Sequence, residues 1–104
     1  MTEYVLSVGK KLNLVEDVCP HEYRYNNGWF NLFNKVPDIV NINGEKKLVE
    51  LYGTYWHRND NPQDRIQLFK KAGYDTLIIW EHNLEDIQGV RDRVEEFTYE
   101  TKRR

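Results

Sequence analysis

The sequence predicts an α/β domain, a mixed β-sheet flanked by helices, and three observations carry that prediction. Two short apolar strands, residues 39–42 and 48–52, flank Asn43-Gly44. That dipeptide favours tight hairpins because both residues accept the backbone the turn requires, so the two strands are expected antiparallel. From residue 48 to residue 80 the pattern reads strand, helix, strand, and a crossover of that kind implies a parallel pair. The run YDTLIIW at 74–80 is apolar and β-branched, as expected of a central strand buried on both faces.

The remaining elements follow from local signals. Residues 2–13 carry apolar groups at Val5, Leu6 and Leu12, and Thr2 can cap an amphipathic helix there. Residues 15–36 read as aromatic, Asn-rich and irregular, with a short strand at 21–25 and a turn at Asn26-Asn27-Gly28. Asn61-Pro62 is a cap followed by a proline in the first helical position, and it opens a helix to about Ala72 that Gly73 closes. Asn83 is expected to cap a last helix over 84–99, with Ile87, Val90, Val94 and Phe97 along one face. The basic tail TKRR is expected to fray. The expected order is helix, strand, strand, strand, helix, strand, helix.

Composition bounds what such a chain does. A length of 104 residues allows one domain, 1–104, with one modest core. Fifteen basic and 17 acidic residues leave a net charge of −2, which does not announce a nucleic-acid binder and does not exclude one. Three Trp and seven Tyr suggest that some rings line a site. The single cysteine, Cys19, excludes an internal disulfide and an all-thiolate zinc site, and an intracellular, cytoplasmic setting is the natural expectation. No apolar run approaches the ~18 residues of a membrane span, and the N-terminus lacks the apolar core of a signal peptide.

The chemistry concentrates at 37–57. Asp38 opens one strand, Glu50 lies near the end of the next, and His57 follows after a glycine and two aromatics. Two carboxylates and an imidazole at one end of a sheet can hold a hard divalent cation and move a proton beside it. Asp38 is the leading ligand candidate, after Pro37, which fixes the approach of the chain. Glu50 is a second candidate, and the Leu51 backbone carbonyl a third. His57 suits activation of water near neutral pH. Glu3 can position metal-bound water, and Asp60 can orient the His57 ring. Each has a plainer reading. Asp38 as a turn acid, Glu50 as a solvated strand residue, His57 as a surface histidine, Glu3 as a first-turn acid, Asp60 as a loop acid, and Tyr55 and Trp56 as core rings all remain open. His21 and His82 are read as structural or surface residues.

Pro37-Asp38 followed after a hairpin by Glu50 resembles the restriction-endonuclease-like superfamily, whose motif usually ends in a lysine two residues after the second acid. Tyr52 holds that place here. Gly53-Thr54-Tyr55-Trp56-His57 is similar to the Gly-Cys-Phe-Trp-His segment of the very-short-patch repair endonucleases, and the stretch from Arg65 through YDTLIIWEHNL resembles the helix and strand that follow it in that family. The resemblance spans most of 37–84. It implies a three-layer restriction-endonuclease-like core and a magnesium-dependent endodeoxyribonuclease, with manganese as an alternative metal. Asp38 would be the central ligand, His57 the general base and Glu3 a supporting acid, while Tyr55 and Trp56 would contact double-stranded DNA. One Cys and three His do not supply the repair enzymes' structural zinc, so mismatch recognition is not carried over. Phage homing endonucleases, which join this nuclease fold to a separate DNA-reading module, are the nearest kind, and 1–104 would be such a catalytic domain in a phage or its bacterial host. Arg58, Lys46, Lys47, Lys70, Lys71 and the tail are candidate phosphate contacts. Cutting both strands would call for a homodimer. A stand-alone nicking repair enzyme and a catalytically inactive nuclease-like binding module are the competing readings.

Overall fold

The computed structural model describes residues 8–19, 22–53 and 61–100. Among these the chain forms three α-helices and a four-stranded mixed sheet, in the order α1 (Val8–Val18), β1 (Tyr23–Tyr25), β2 (Ile39–Asn41), β3 (Lys47–Tyr52), α2 (Pro62–Lys70), β4 (Asp75–Trp80), a 3-10 turn at Glu81–Glu85, and α3 (Ile87–Tyr99). That is the order the sequence predicts. The sheet runs β1-β2-β3-β4, antiparallel across the first two interfaces and parallel between β3 and β4. No described helix is long and apolar enough to cross a membrane.

Side-chain parity divides the core between two faces of the sheet. Ile39, Val49, Leu51 and Ile79 pack with Leu14 and Val18 of α1, Tyr23 of β1, and Val90 and Val94 of α3. Val40 and Leu48 point the other way, onto Phe69 of α2, with Phe30, Leu32 and Tyr74 around them. Helices therefore cover both faces, and the central strand β3 is buried from Lys47 through Leu51. This explains a strand buried along its length without strict alternation.

Capping fixes the helices. The Asn61 side chain accepts from the Gln63 amide at 3.0 Å, with Pro62 in the first turn. At the other end, Gly73 adopts φ +85, its amide bonds the Lys70 carbonyl, and the Tyr74 amide bonds the Phe69 carbonyl. This pair of bonds is the glycine-terminated closure expected there. Helix α3 starts later than 84. Asn83 belongs to the 3-10 turn, where its side chain accepts from the Trp80 amide. Asp86 caps α3 by accepting from the Gly89 amide at 3.0 Å. A Cβ at position 89 would lie 2.3 Å from the capping carboxylate, so the glycine inside this helix accommodates its own cap.

Four expectations are corrected. The first helix runs on to Val18, and it is Leu14 and Val18 that are buried, whereas Leu12 is 45% exposed. The start expected at Thr2 lies outside the described residues, as do His21 and the tail. Strand β4 is not central: among the described residues it pairs with β3 alone, and its apolar character comes from helices on both faces. On its outer edge the Arg93 guanidinium bonds the Ile78 carbonyl. Ile42 leaves the strand and is exposed. The β2–β3 connection is not a two-residue turn on Asn43-Gly44. Ile39 pairs with Val49 and Val40 with Leu48, so residues 42–46 form a longer loop. In it Gly44 takes φ +90, and the buried Asn41 side chain accepts from the amides of Asn43 and Glu45.

Two buried hydroxyls pair across the fold. The Tyr23 hydroxyl lies 2.8 Å from Thr98 Oγ1, which in turn bonds the Val94 carbonyl. Burial pushes the Tyr23 phenol up to about 12, so it stays protonated. Burial likewise pushes the Cys19 thiol up from its ordinary 9.0 to about 12.

Two outcomes follow. Asn41→Ala removes the acceptor that holds the 42–46 loop, and urea unfolding should show a loss of about 1–2 kcal/mol. Desolvation disfavours the thiolate of Cys19, so a thiol-specific disulfide reagent at pH 8 should react at least about a hundredfold faster after unfolding in denaturant than with the folded chain.

Candidate active site at the open end of the hairpin

The register places the two expected acids together. Continuing the Ile39–Val49 and Val40–Leu48 pairing by one step sets Asp38 opposite Glu50, on the sheet face covered by α2. A two-residue turn through Asn43-Gly44 would instead have set Asp38 opposite Val49 and turned Glu50 to the other face. The longer loop thus decides which side chains share the site. They lie at the carboxyl end of β3, beside its parallel neighbour β4, where α/β sheets commonly bind ligands.

Hydrogen bonds bind the two strand ends into one unit. The Asp38 amide donates to Glu50 Oε1 at 2.7 Å, and the Leu51 amide donates to Asp38 Oδ2 at 2.9 Å. Each acid therefore holds the other strand's backbone. In an extended strand a residue's N–H and C=O leave on the same side, so the Leu51 carbonyl is also directed toward the Asp38 edge. The loop preceding Asp38 is fixed by Asn26. Its amide nitrogen donates to the carbonyls of Phe30 and Pro37, its oxygen accepts from the amides of Gly28 and Phe30, and its backbone amide bonds the Asp38 carbonyl.

Glu50 is 2% exposed, which overturns its reading as a solvated strand residue. Its charge is balanced by Arg65 of α2, whose Nε lies 2.8 Å from Oε2. The Arg65 guanidinium also lies over the Phe69 ring, 5.4 Å from its centre, a cation–π contact within one helix face. Both carboxylate oxygens of Glu50 are thus engaged. As it stands, Glu50 orients Asp38, and a direct bond from Glu50 to a metal requires Arg65 to yield.

Arg65 and Asn26 are the site residues that the sequence reading missed. Arg65 was legible: it lies four residues before Phe69 on the same helical face, and Glu50 lies two residues after Leu48 on the same strand face. Phe69 and Leu48 pack together, so Arg65 and Glu50 must meet. Asn26 read as a turn residue, which it is, but its bonds to the 37–38 segment are long-range.

The other expected residues are distributed as follows. Lys46 is exposed, with its ammonium 6.0 Å from the Tyr74 ring. Lys47 is corrected: it is 2% exposed, its ammonium donates to the Phe97 carbonyl at 2.5 Å, and it lies over the Phe97 ring. It sits under α3 and not at a surface a phosphate would meet. Lys70 is exposed and paired with Asp75 at 2.6 Å, and Lys71 is exposed. Tyr52, in the place of the expected lysine, meets Trp80 edge to face at 5.1 Å. Glu3, Tyr55, Trp56, His57, Arg58 and Asp60 lie outside the described residues. Among the described residues no group of three or more His, Cys, Asp and Glu side chains is placed to hold a metal ion.

The buried carboxylate makes Arg65 a structural partner as well as a site residue. Arg65→Met should destabilise the fold by about 2 kcal/mol, while Glu50→Gln/Arg65→Met should cost less than the sum of the single changes by about 1–3 kcal/mol, because neither charge is then left alone. Denaturant midpoints of the four chains measure this.

Comparison with family models, curated proteins and solved structures gives no match to this chain.

Proposed function

We propose that this chain is a metal-dependent DNA endonuclease domain of the restriction-endonuclease-like fold, hydrolysing phosphodiester bonds in duplex DNA as the catalytic domain of a homing endonuclease. The observation that carries the reading is the juxtaposition of Asp38 and Glu50 at the carboxyl end of β3, locked by reciprocal backbone bonds. The segment carrying His57 begins directly beyond that strand. The element order and the coverage of the sheet on both faces support the fold.

Magnesium is well served by one or two carboxylates and keeps several waters. Asp38 is the proposed ligand, with the Leu51 carbonyl beside it. Glu50 is proposed to position Asp38, with Arg65 balancing its charge. A cation there would neutralise the phosphate and orient water, and His57 would take the proton. Glu3 and Asp60 are the proposed supporting acids, and Tyr55, Trp56, Arg58 and Lys46 the proposed DNA contacts. Cleavage of both strands would need two copies.

One observation favours a second reading, a nuclease-like binding module without chemistry. Arg65 occupies the Glu50 carboxylate, which weakens Glu50 as a metal ligand. Incubating supercoiled plasmid with magnesium or manganese separates the two. The parent chain should nick or linearise the plasmid. Asp38→Asn, which keeps an acceptor for the Leu51 amide, and His57→Ala should each lose at least about a hundredfold in rate. A parent that leaves plasmid intact with either metal supports the binding module.

A further inference from the structure

The 27–36 loop exposes aromatic rings at unusual backbone cost. Leu32 and Lys35 exchange backbone hydrogen bonds of 2.9 Å, closing a tight turn with Phe33 and Asn34 at its tip. Both tip residues adopt positive φ, 53 and 64. Asparagine tolerates that region, but a bulky aromatic there is a conformational outlier of the kind that collects at functional sites. Phe33 is nonetheless 52% exposed, and Trp29 is 51% exposed with its indole N–H held on the Tyr25 carbonyl. Phe30 and Leu32 of the same loop, by contrast, pack onto the Val40, Leu48 and Phe69 face. The loop sends Phe30 and Leu32 inward and presents Trp29, Phe33 and Val36.

Charge identifies what meets these rings. Between Tyr23 and Pro37 the chain has no carboxylate, and it carries Arg24, Lys35 and the asparagines 27, 31 and 34, all of them exposed. This segment is thus net positive in a chain of net charge −2. An open groove lined by Arg24, Tyr25, Asn27, Trp29 and Ile42 runs alongside it. Exposed rings among cations and amides match the stacking, phosphate and base-edge contacts of nucleic acid. The loop also ends at Asp38. Five residues of chain span at most roughly 18 Å, so the tip lies within about five base pairs of a phosphate held there.

We propose that this loop is a duplex-DNA contact, with Phe33 stacking against a base beside the cleavage position, Trp29 flanking it, and Lys35 and Arg24 on adjacent phosphates. Its location relative to the scissile bond rests on the nuclease reading; its affinity for duplex does not. The strained turn pre-forms the contact, so the ring is presented without ordering on binding.

The test measures binding without cleavage. The full chain carrying Asp38→Asn is titrated, without divalent metal, against a short fluorescently labelled duplex of mixed sequence, alone and with Phe33→Asn, Phe33→Tyr or Lys35→Ala. Asparagine suits a positive φ, so Phe33→Asn should keep or raise the melting temperature while weakening binding about tenfold. The slope of affinity against salt should stay unchanged in that chain. Phe33→Tyr keeps the ring and should keep the affinity. Lys35→Ala should reduce the salt slope by about one. An unchanged affinity in Phe33→Asn overturns the proposal, whether or not that change alters self-association. If the parent chain nicks plasmid while Phe33→Asn binds duplex normally, the loop proposal falls and the nuclease reading stands. Ring-dependent duplex binding by a chain that nicks nothing gives the reverse.

Discussion

A β-ladder slips only by whole residues, and a slip of one turns every side chain over. In most antiparallel sheets the contrast between an apolar and a polar face prevents this. The β2–β3 ladder lacks that contrast, because helices cover both faces and β3 is buried from Lys47 to Leu51. Its apolar residues would be accommodated on either side. The two charged residues of β3 break the symmetry. Lys47 reaches the Phe97 carbonyl of α3, and Glu50 reaches Arg65 of α2. They sit on opposite faces, so one slip would turn Glu50 into the apolar cluster of Leu14, Val18 and Val94 and strip both charges of their partners. Isolated buried charge is among the most costly outcomes a fold can suffer. The register that unites Asp38 with Glu50 is therefore enforced by polar residues that looked like surface groups.

The same arrangement explains how two carboxylates tolerate one another. Adjacent acids repel, and a buried one lacks water to screen it. Arg65 supplies the compensating charge and is itself delivered by α2, whose start is set by Asn61 and Pro62 and whose end is set by Gly73. Asp38 remains half-buried while Glu50 is enclosed. The pair is thus differentiated: Glu50 is enclosed and paired with Arg65, and Asp38 is the more open of the two.

Legibility in the sequence followed the range of the interaction. The caps at Asn61 and Gly73 are local, and the structure has both where they were expected. The pairing of Asp38 with Glu50 was anticipated, but from a turn that would have separated them. Asn43-Gly44 is a strong hairpin signal, and it lost to the Asn41 side chain, whose bonds to two loop amides hold a longer connection. The span 15–18 reads as irregular beside its Asn-rich neighbours, yet Leu14 and Val18 lie one helical turn apart and bury together. The run at 74–80 reads as central because it is apolar, a property an edge strand shares when both its faces are covered. Lys47 was read as a phosphate contact because charge usually implies exposure. Burial of such a residue depends on a partner 50 positions away in the chain, and periodicity does not reveal it.

Asn26 links the candidate site to the exposed loop. Its side chain bonds Phe30 on one side and Pro37 on the other, and its backbone amide bonds the Asp38 carbonyl. The stretch 27–36 is therefore clamped at its base to the residues that aim Asp38. Phe30 and Leu32 fasten the same stretch to the α2 face, against the Leu48 and Phe69 side chains that neighbour Glu50 and Arg65. Position at the Phe33 tip and position at Asp38 are thereby set by one buried amide and one apolar cluster. A chain that needed the loop only as a connection between β1 and β2 would bridge the gap with fewer residues and without a positive-φ phenylalanine. Anchoring on both sides keeps such a tip in a defined place relative to the acids.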